Sequence, residues 1–331
     1  MKQLAKEQKS LLQVKNLKVH YPIKRSIMGR TLVSLKAVDT VSFDVKEGET
    51  LGVVGESGCG KSTVANSIIK LVEATDGEII FAGKDLSKLN ENKLREIRRD
   101  IQIIFQDPFS SLNPRMRVFD IIAEPFRSHN LLKGSELRNE IYELMETVGL
   151  DKSLASRYPH EFSGGQRQRI GIARAIALKP KLIICDEPVS ALDVSIQAQI
   201  LNLLLELQEK FNLTFIFIGH GIPSVKYISD RIAVMYRGEI VELSSTENVF
   251  NNTKHPYTQG LISAVPVPDP EFRDRKREIV IESDVPDTIN LPKGCRFYSR
   301  CPLRTEKCKA VKPDLVEIEK DHYVACHYPI D

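Results

Sequence analysis

A glycine-rich stretch, GESGCGKST at residues 55–63, contains the residue types that bind phosphate groups. Its glycines let the backbone wrap closely, so that successive amide N–H groups and the start of a following helix face negative charge. Lys61 can reach the outer phosphates of a nucleoside triphosphate, and the hydroxyl of Ser62 can bind Mg²⁺. The stretch predicts a nucleotide-binding loop formed by Gly55, Glu56, Ser57, Gly58, Cys59, Gly60, Lys61, Ser62 and Thr63.

Two acidic residues follow an apolar run in KLIICDEP, residues 181–188. A strand that carries Asp186 at its end would supply a second contact to Mg²⁺, usually through water. Glu187, beside it, is placed to polarise an attacking water molecule as a general base. Together with the glycine-rich stretch, the pair predicts hydrolysis of the bound nucleotide.

A second candidate anion site lies in FSGGQRQR, residues 162–169, where Ser-Gly-Gly leads into a predicted helix. The glycine-rich stretch already serves one nucleotide, so a second phosphate-binding helix end needs an explanation. Two subunits that face each other head to tail would supply one, because each ATP would then lie between them. Taken alone, these residues predict only a capped helix start.

The elements that must position these residues follow from hydrophobic periodicity. Continuous apolar runs at 49–55, 182–188 and 213–219 predict buried strands. Alternating patterns predict half-buried strands at 11–21 and 37–48. Helical spacing begins at 61 and returns at 195–211, and amphipathic helices are predicted within 108–158. Strands that alternate with helices indicate an α/β core with a helical insertion.

The order of the motifs is itself informative. The nucleotide-binding loop is followed by a glutamine after an apolar strand (Gln106), then by SGGQ, CDEP, SALD and a histidine at a strand end (His220). In this order, over about residues 10–250, the motifs resemble the ATPase cassette of ABC transporters. The resemblance implies an α/β fold, a P-loop cassette with a mixed sheet core, an antiparallel β subdomain and a helical signature subdomain. We expect a nucleotide-binding domain at 1–255, with its helical subdomain at about 107–162, and a small cysteine-containing extension at 256–331.

The resemblance also implies roles for single residues. Tyr21 would stack on adenine, unless it is an ordinary strand aromatic packed in the core. Gln106 would lie near Mg²⁺ and report the nucleotide state to a membrane partner, and His220 would contact the γ-phosphate. Asp193, in SALD, would lie at the seam of the dimer, where the alternative is a plain helix cap. The γ-phosphate bound to the opposite subunit would be contacted by Ser163, Gly164, Gly165 and Gln166.

Two departures from the family pattern are visible. Phe162 opens the signature where leucine is usual, which keeps the position apolar. His220 lies between Gly219 and Gly221, where the family commonly has Ser-His-Asp. The missing aspartate removes a residue that would brace this loop, and one of the two ATP sites of a dimer would then be slower than the other.

Three further segments, at 107–118, 255–270 and 294–302, together resemble ATPase subunits of bacterial oligopeptide and dipeptide importers. The segment before KAVD resembles the second of their two paired ATPase subunits. The resemblance implies ATP and Mg²⁺ as cofactors, a homologous second ATPase subunit, two transmembrane permease subunits and a separate extracellular or periplasmic peptide-binding protein. Nickel, metallophore and other small-solute importers share this architecture and are the alternative.

Composition limits the other function classes. The net charge of +3, from 47 basic and 44 acidic residues, gives no support to nucleic acid as a partner. An ABC ATPase that acts on DNA or ribosomes is disfavoured, since only one cassette and no basic stripe are present. We find no apolar run of about 18 residues and no signal-peptide pattern, and so expect a peripheral protein at the cytoplasmic face of the membrane.

Four cysteines cluster near the C-terminus, in what we call the tail cysteines: Cys295, Cys301, Cys308 and Cys326. In a reducing compartment they favour a metal over disulfides. Their spacing lacks the C-x₂-C pairs typical of small zinc sites and matches neither common ferredoxin pattern. Some peptide-importer ATPases carry a [4Fe–4S] cluster in this extension, and resemblance therefore favours a cluster, with zinc or free thiols as alternatives. The tail, by which we mean residues from 294 to the C-terminus, is interpreted as a small cap that a bound metal stabilises and that has no part in ATP hydrolysis.

Overall fold

The computed structural model describes residues 10–25, 31–107, 109–264 and 291–330. The chain divides into two compact units. The P-loop unit comprises 10–45, 50–87 and 220–331, and the signature unit comprises 46–49 and 88–219. The described parts of the expected extension, 256–264 and 291–330, therefore belong to the same compact unit as the glycine-rich stretch at 55–63.

The elements, in chain order, are listed here with their bounds. The strands are β1 (Ser10–Arg25), β2 (Thr31–Lys46), β3 (Thr50–Val54), β4 (Asp76–Phe81), β5 (Lys84–Asp85), β6 (Ile101–Ile104), β7 (Leu182–Asp186), β8 (Thr214–Ile218), β9 (Arg231–Tyr236), β10 (Glu239–Ser245), β11 (Val316–Glu319) and β12 (His322–Val324). The α-helices are α1 (Lys61–Ile68), α2 (Glu91–Ile97), α3 (Val118–Ser128), α4 (Gly134–Thr147), α5 (Gly164–Ile176), α6 (Val194–Phe211), α7 (Ile222–Ile228), α8 (Thr246–Asn251), α9 (Pro256–Ser263) and α10 (Glu306–Ala310).

An antiparallel sheet forms one layer of the P-loop unit, with strand order β2-β1-β4-β5. Strand β1 pairs with β4 so that Leu12 lies opposite Phe81 and Val14 opposite Ile79. All four of these side chains are buried, because alternate residues of a strand point to the same face. This is the half-buried pattern that the sequence predicts for the first strand.

The mixed sheet of the P-loop unit has the order β11-β12-β10-β9-β3. Strands β3 and β9 are parallel, whereas β9, β10, β12 and β11 pair antiparallel in turn. Every residue of β3 is buried, as its continuous apolar run predicts. The tail therefore adds two strands to the sheet beside the P-loop, an element that its polar sequence does not indicate.

The signature unit has a parallel sheet in the order β8-β7-β6. Every residue of β7 and β8 is buried, which parallel strands covered on both faces require. The helical insertion that the sequence predicts contains α3 and α4, followed by short 3₁₀ turns at Lys152–Ser156 and Pro159–Glu161. Helix α5 packs on α3 and α4 of this insertion, and it also contacts β6.

In the described part of the chain, none of the helices has both the length and the apolar character needed to cross a bilayer. The longest is α6, with 18 residues and charged side chains in its second half.

Candidate functional site

The loop between β3 and α1 holds the glycine-rich stretch in the strand-loop-helix setting that a P-loop requires. Gly60 is the N-cap of α1 and has φ of +106°, a conformation that favours glycine. A Cβ at this position would also lie 2.3 Å from the carbonyl oxygen of Ala37. Backbone conformation and close packing both require glycine here.

The ammonium group of Lys61 is buried inside the loop. It donates hydrogen bonds to the carbonyl oxygens of Gly55, at 2.8 Å, and Glu56, at 3.1 Å. Burial raises the pKa of the neighbouring Cys59 thiol, so Cys59 stays a neutral, packed side chain. A bound phosphate would compete with two backbone carbonyls for the same ammonium group.

The carboxyl end of the parallel sheet brings two predicted residues of the signature unit together. Gln106 follows β6 and Glu187 follows β7, and these strands are neighbours with Ile104 opposite Cys185. The side-chain amide of Gln106 donates a 2.8 Å hydrogen bond to Glu187. Asp186, the last residue of β7, is buried with 8% of its surface exposed. A glutamine, a candidate base and a candidate magnesium ligand thus share one sheet edge.

Glu187 has a left-handed backbone, with φ of +48°. This conformation is uncommon for residues other than glycine, and such residues are frequent at functional sites. The Glu187 amide donates to the carbonyl oxygen of Ile218, and its carbonyl oxygen accepts from Ser190. These bonds hold the carboxylate in a fixed place, and no sequence pattern predicts the backbone conformation.

The signature residues begin helix α5. Ser163 is its N-cap and forms a capping box with Gln166, in which the Ser163 hydroxyl accepts from the Gln166 amide and the Gln166 side chain accepts from the Ser163 amide. Phe162 is buried, so the core accommodates a phenylalanine where leucine is usual in the family. The Arg167 guanidinium lies 3.5 Å from the ring centre of Phe109. Capping and packing fix the helix start, while Ser163 remains exposed.

Three other predicted residues are exposed. Tyr21 in β1 has 39% of its surface accessible and is therefore not a core aromatic. His220 is exposed directly before α7. Asp193 is the N-cap residue of α6, yet its side chain forms no capping hydrogen bond. Gly221 is the N-cap of α7 and supplies no side-chain acceptor, which is the physical consequence of the missing aspartate.

A contact that the sequence does not indicate joins the P-loop to the tail. The guanidinium of Arg300 forms a two-pronged ion pair with the Glu56 carboxylate, with distances of 2.8 and 2.7 Å. The Glu56 amide donates to the hydroxyl oxygen of Tyr257 at 3.0 Å. The interpretation of the tail as a cap without a part in ATP hydrolysis did not anticipate this contact with the nucleotide-binding loop.

Aromatic packing supports the same contact. The rings of Tyr236, Tyr257 and Phe297 lie 4.6 to 5.5 Å apart, centre to centre. All three side chains are buried. Nearby, the side chain of Arg296 forms ion pairs with Asp39 and, at 2.9 Å, with Glu239. The tail is therefore anchored to the P-loop unit by both apolar packing and charge pairing.

The tail cysteines line one enclosed space together with Phe297, Tyr298 and Leu303. Burial raises the pKa of Cys295 to about 12 and that of Cys326 to about 11, and the neighbouring cysteines add to both rises. Among the described residues, no three His, Cys, Asp or Glu side chains form a group that could hold a metal ion. Cys59 and Cys185, the other cysteines, are buried as small apolar residues, as predicted.

Comparison with known families gives two matches. Residues 38–190 match the ABC transporter family, and residues 241–308 match the C-terminal region of oligopeptide and dipeptide transporters. The second match covers most of β10, all of α9 and the part of the extension up to Cys308, including Arg300, but not β11 or β12. Both halves of the contact between the P-loop and the tail therefore lie in recognised family regions.

Individual proteins agree with these matches. The chain is 51% identical to the oligopeptide transport ATP-binding protein AppF of Bacillus subtilis, over 98% of both chains. It is 52% identical to the oligopeptide transport ATP-binding protein OppF of Salmonella typhimurium, again over 98% of both. Among solved structures, a dimer of the ATP-binding cassette MJ0796 bound to ADP and Pi is 30% identical, with a TM-score of 0.62, and covers 71% of this chain and 98% of its own.

Proposed function

This chain belongs to the oligopeptide transport ATP-binding proteins of the ABC transporter family, and we propose that it hydrolyses ATP to energise the import of oligopeptides or dipeptides through a membrane permease. The observation that carries the proposal is the identity of about half of all residues to oligopeptide transport ATP-binding proteins along 98% of the chain. The C-terminal match to oligopeptide and dipeptide transporters supports peptides over nickel or metallophores.

The nucleotide site can be assigned by residue. Lys61 would bind the outer phosphates of ATP after it leaves the carbonyl oxygens of Gly55 and Glu56. Ser62 and Asp186 would hold Mg²⁺, and their hydroxyl and carboxylate oxygens are the hard ligands that this ion prefers. When bound, Mg²⁺ supplies charge neutralisation at the phosphates. The remaining loop residues from Gly55 to Thr63 would surround the phosphates, and Tyr21 would stack on the base.

Glu187 is the proposed general base. Its carboxylate is held by Gln106 at 2.8 Å and by a constrained backbone, so it can orient a water molecule without first being ordered. His220 would contact the γ-phosphate from its exposed position before α7.

A second, homologous ATPase subunit would complete each site. The start of α5, with Ser163, Gly164, Gly165 and Gln166, would contact the γ-phosphate bound by the other subunit. The exposed side chain of Asp193 would lie at the seam. Support comes from the exposure of Ser163 and Asp193 and from the dimer formed by the similar cassette MJ0796.

Two permease subunits and a separate peptide-binding protein would complete the importer, with this chain at the cytoplasmic face of the membrane. Uptake of a labelled peptide tests the proposal in cells that lack the chain and are supplied with either the native protein or its Lys61→Ala variant. We expect uptake with the native protein only. Uptake of nickel in place of peptide, with the same dependence on Lys61, would support the alternative class of importer.

For the tail cysteines we propose a [4Fe–4S] cluster. Four thiols line one space whose walls are otherwise largely apolar, and the raised pKa values of Cys295, Cys301 and Cys326 would fall in contact with a cation. The described residues do not form a preassembled group of three or more metal ligands, so the four thiols would have to move closer together to bind either a cluster or a zinc ion. The family resemblance is what favours the cluster. The cluster would add to the stability that aromatic packing and ion pairs already give the tail.

A further inference from the structure

Glu56, the second residue of the P-loop, has all three of its polar groups engaged. Its amide donates to Tyr257, its carbonyl oxygen accepts from Lys61, and its carboxylate pairs with Arg300. Lys61 lies within the loop itself, but Tyr257 and Arg300 both come from the extension at 256–331. The first turn of the phosphate-binding loop is therefore held mainly by residues from outside the cassette.

The two side chains of this ion pair differ in burial. The side chain of Arg300 is only 8% exposed, whereas that of Glu56 is 33% exposed. A planar guanidinium that meets a carboxylate with two parallel bonds is the most directional of the side-chain ion pairs. The Arg300 guanidinium also lies 5.8 Å from the ring centre of Tyr236, within the buried aromatic cluster. Burial, the two-pronged pairing and the Tyr236 ring together restrict the position of the Arg300 guanidinium.

The charge of Glu56 needs an explanation at this position. A P-loop concentrates amide N–H groups and a lysine around a polyphosphate, and a carboxylate in the same loop has the same sign of charge as that ligand. Like charges that approach one another disfavour binding. The Arg300 guanidinium offsets this charge, because it pairs with both oxygens of the Glu56 carboxylate.

We propose that Arg300 supports ATP binding by neutralising the Glu56 carboxylate, so that the C-terminal extension forms part of the nucleotide site. This inference rests on the proposed function, because it assumes that the P-loop binds ATP. The extension would then support phosphate binding through Arg300, in addition to contributing two strands to the sheet.

The competing explanation is that the ion pair only holds the loop in place. The direction in which one substitution changes the affinity for ATP separates the two explanations. Glu56→Gln keeps the shape of the side chain but removes its charge. If Arg300 acts by neutralisation, this variant should bind ATP at least as tightly as the native chain, since the arginine charge is then free to attract phosphate. If the ion pair only holds the loop in place, breaking it from either side should weaken binding.

The experiment measures the Kd of a fluorescent ATP analogue for the purified full chain. Arg300→Ala should raise the Kd by about 3- to 10-fold, as expected for a partly exposed charge interaction. Arg300→Lys, which keeps the charge but not the second bond, should lie between native and Arg300→Ala. The double variant Glu56→Gln with Arg300→Ala should recover most of the loss. Arg304→Ala is the matched control, because Arg304 is exposed and its guanidinium donates to the backbone oxygen of Ser299 beside the Tyr298 ring, not to an acidic side chain of the P-loop. The Kd of this variant should equal the native value.

The outcomes are distinct. An unchanged Kd for Arg300→Ala would overturn the inference, and so would a raised Kd for Glu56→Gln. Because Glu56→Gln is nearly isosteric, it tests the inference even if Arg300→Ala does not fold, which its thermal unfolding would reveal. Lys61→Ala should abolish binding. Unchanged binding by that variant would instead overturn the proposed nucleotide site itself.

Discussion

The side-chain amide of Gln106 and the carboxylate of Glu187 are joined by a 2.8 Å hydrogen bond at the carboxyl end of two parallel strands. The two residues are 81 positions apart in sequence, and only the pairing of β6 with β7 brings them together. A residue expected to sense magnesium is therefore bonded directly to the residue expected to activate water. If Gln106 responds to bound Mg²⁺, this hydrogen bond would link the nucleotide state to the proposed base.

Substitution of the proposed base separates binding from hydrolysis. Glu187→Gln should bind ATP normally but hydrolyse it about 10²- to 10⁴-fold more slowly, which is the usual cost of losing a positioned base. Lys61→Ala, in contrast, should lose ATP binding. The measurement is single-turnover hydrolysis in the full complex, with the partner subunit's own site disabled. Unimpaired turnover by Glu187→Gln would show that another group activates water.

The Gln106 bond predicts a non-additive effect. Gln106→Ala should lower hydrolysis by about 10-fold, since a hydrogen bond to a charged group is lost from a partly exposed site. In a Glu187→Gln background the same change should cost little more, because the two residues act as one unit. A double-mutant cycle of hydrolysis rates measures this. Fully additive effects would mean that the bond has no role in hydrolysis.

Much of this site follows from sequence. The buried strands β3 and β7, the start of α1 after Gly60 and the capped start of α5 at Ser163 all lie where local patterns predict them. These features depend on neighbouring residues, so periodicity and capping rules are sufficient. The left-handed backbone of Glu187 depends instead on bonds to Ile218 and Ser190, which no local rule encodes.

The contact between Arg300 and Glu56 spans 244 positions. In the sequence, Arg300 is simply one basic residue beside a cysteine, and Glu56 occupies a variable position of the loop motif. The only available signal was an unexplained acidic residue in a phosphate-binding loop. The sequence does not indicate strands β11 and β12, because the residues of β11 are exposed and β12 has only three residues, which are positioned by pairing with β10 and β11.

Substitution of the glycine after His220 by aspartate should raise both the stability of the fold and the rate of hydrolysis. Gly221 precedes α7 with φ of −81° and ψ of 105°, which any residue can adopt, and a Cβ there would meet only Ser224 at 3.7 Å. Gly221→Asp should cap α7 and stabilise the fold by a few tenths of a kcal/mol. With its loop braced, His220 should support faster hydrolysis. Steady-state turnover and thermal unfolding measure both effects, and slower turnover would contradict the bracing role.

The start of α5 offers a test of the head-to-tail dimer. Gly164→Asp places a carboxylate where the partner subunit's γ-phosphate should lie, and like-charge repulsion should prevent closure. A Cβ at Gly164 meets only Leu192, at 3.2 Å, so the subunit should still fold. Nucleotide binding to the isolated subunit should therefore be nearly unchanged, while hydrolysis at the partner's P-loop is lost.

Gly171→Asp is the control for this change, since it lies in the same helix and a Cβ there meets no atom within 4 Å. It should leave closure intact. Loss of nucleotide binding by the isolated Gly164→Asp subunit would contradict the head-to-tail arrangement, because the signature residues would then act on their own P-loop.

The tail cysteines carry the last prediction. Anaerobically purified protein should be brown and contain about four iron atoms with matching acid-labile sulfide per chain, as a [4Fe–4S] cluster requires. Replacement of any one of the four by serine should remove the iron, whereas Cys59→Ser should retain it, because Cys59 is buried in the P-loop away from the tail cysteines' enclosed space. Iron analysis and the visible absorption spectrum provide the measurement. Colourless protein with about one zinc per chain would replace the cluster by a single ion, and metal-free protein with a normally folded tail would exclude both.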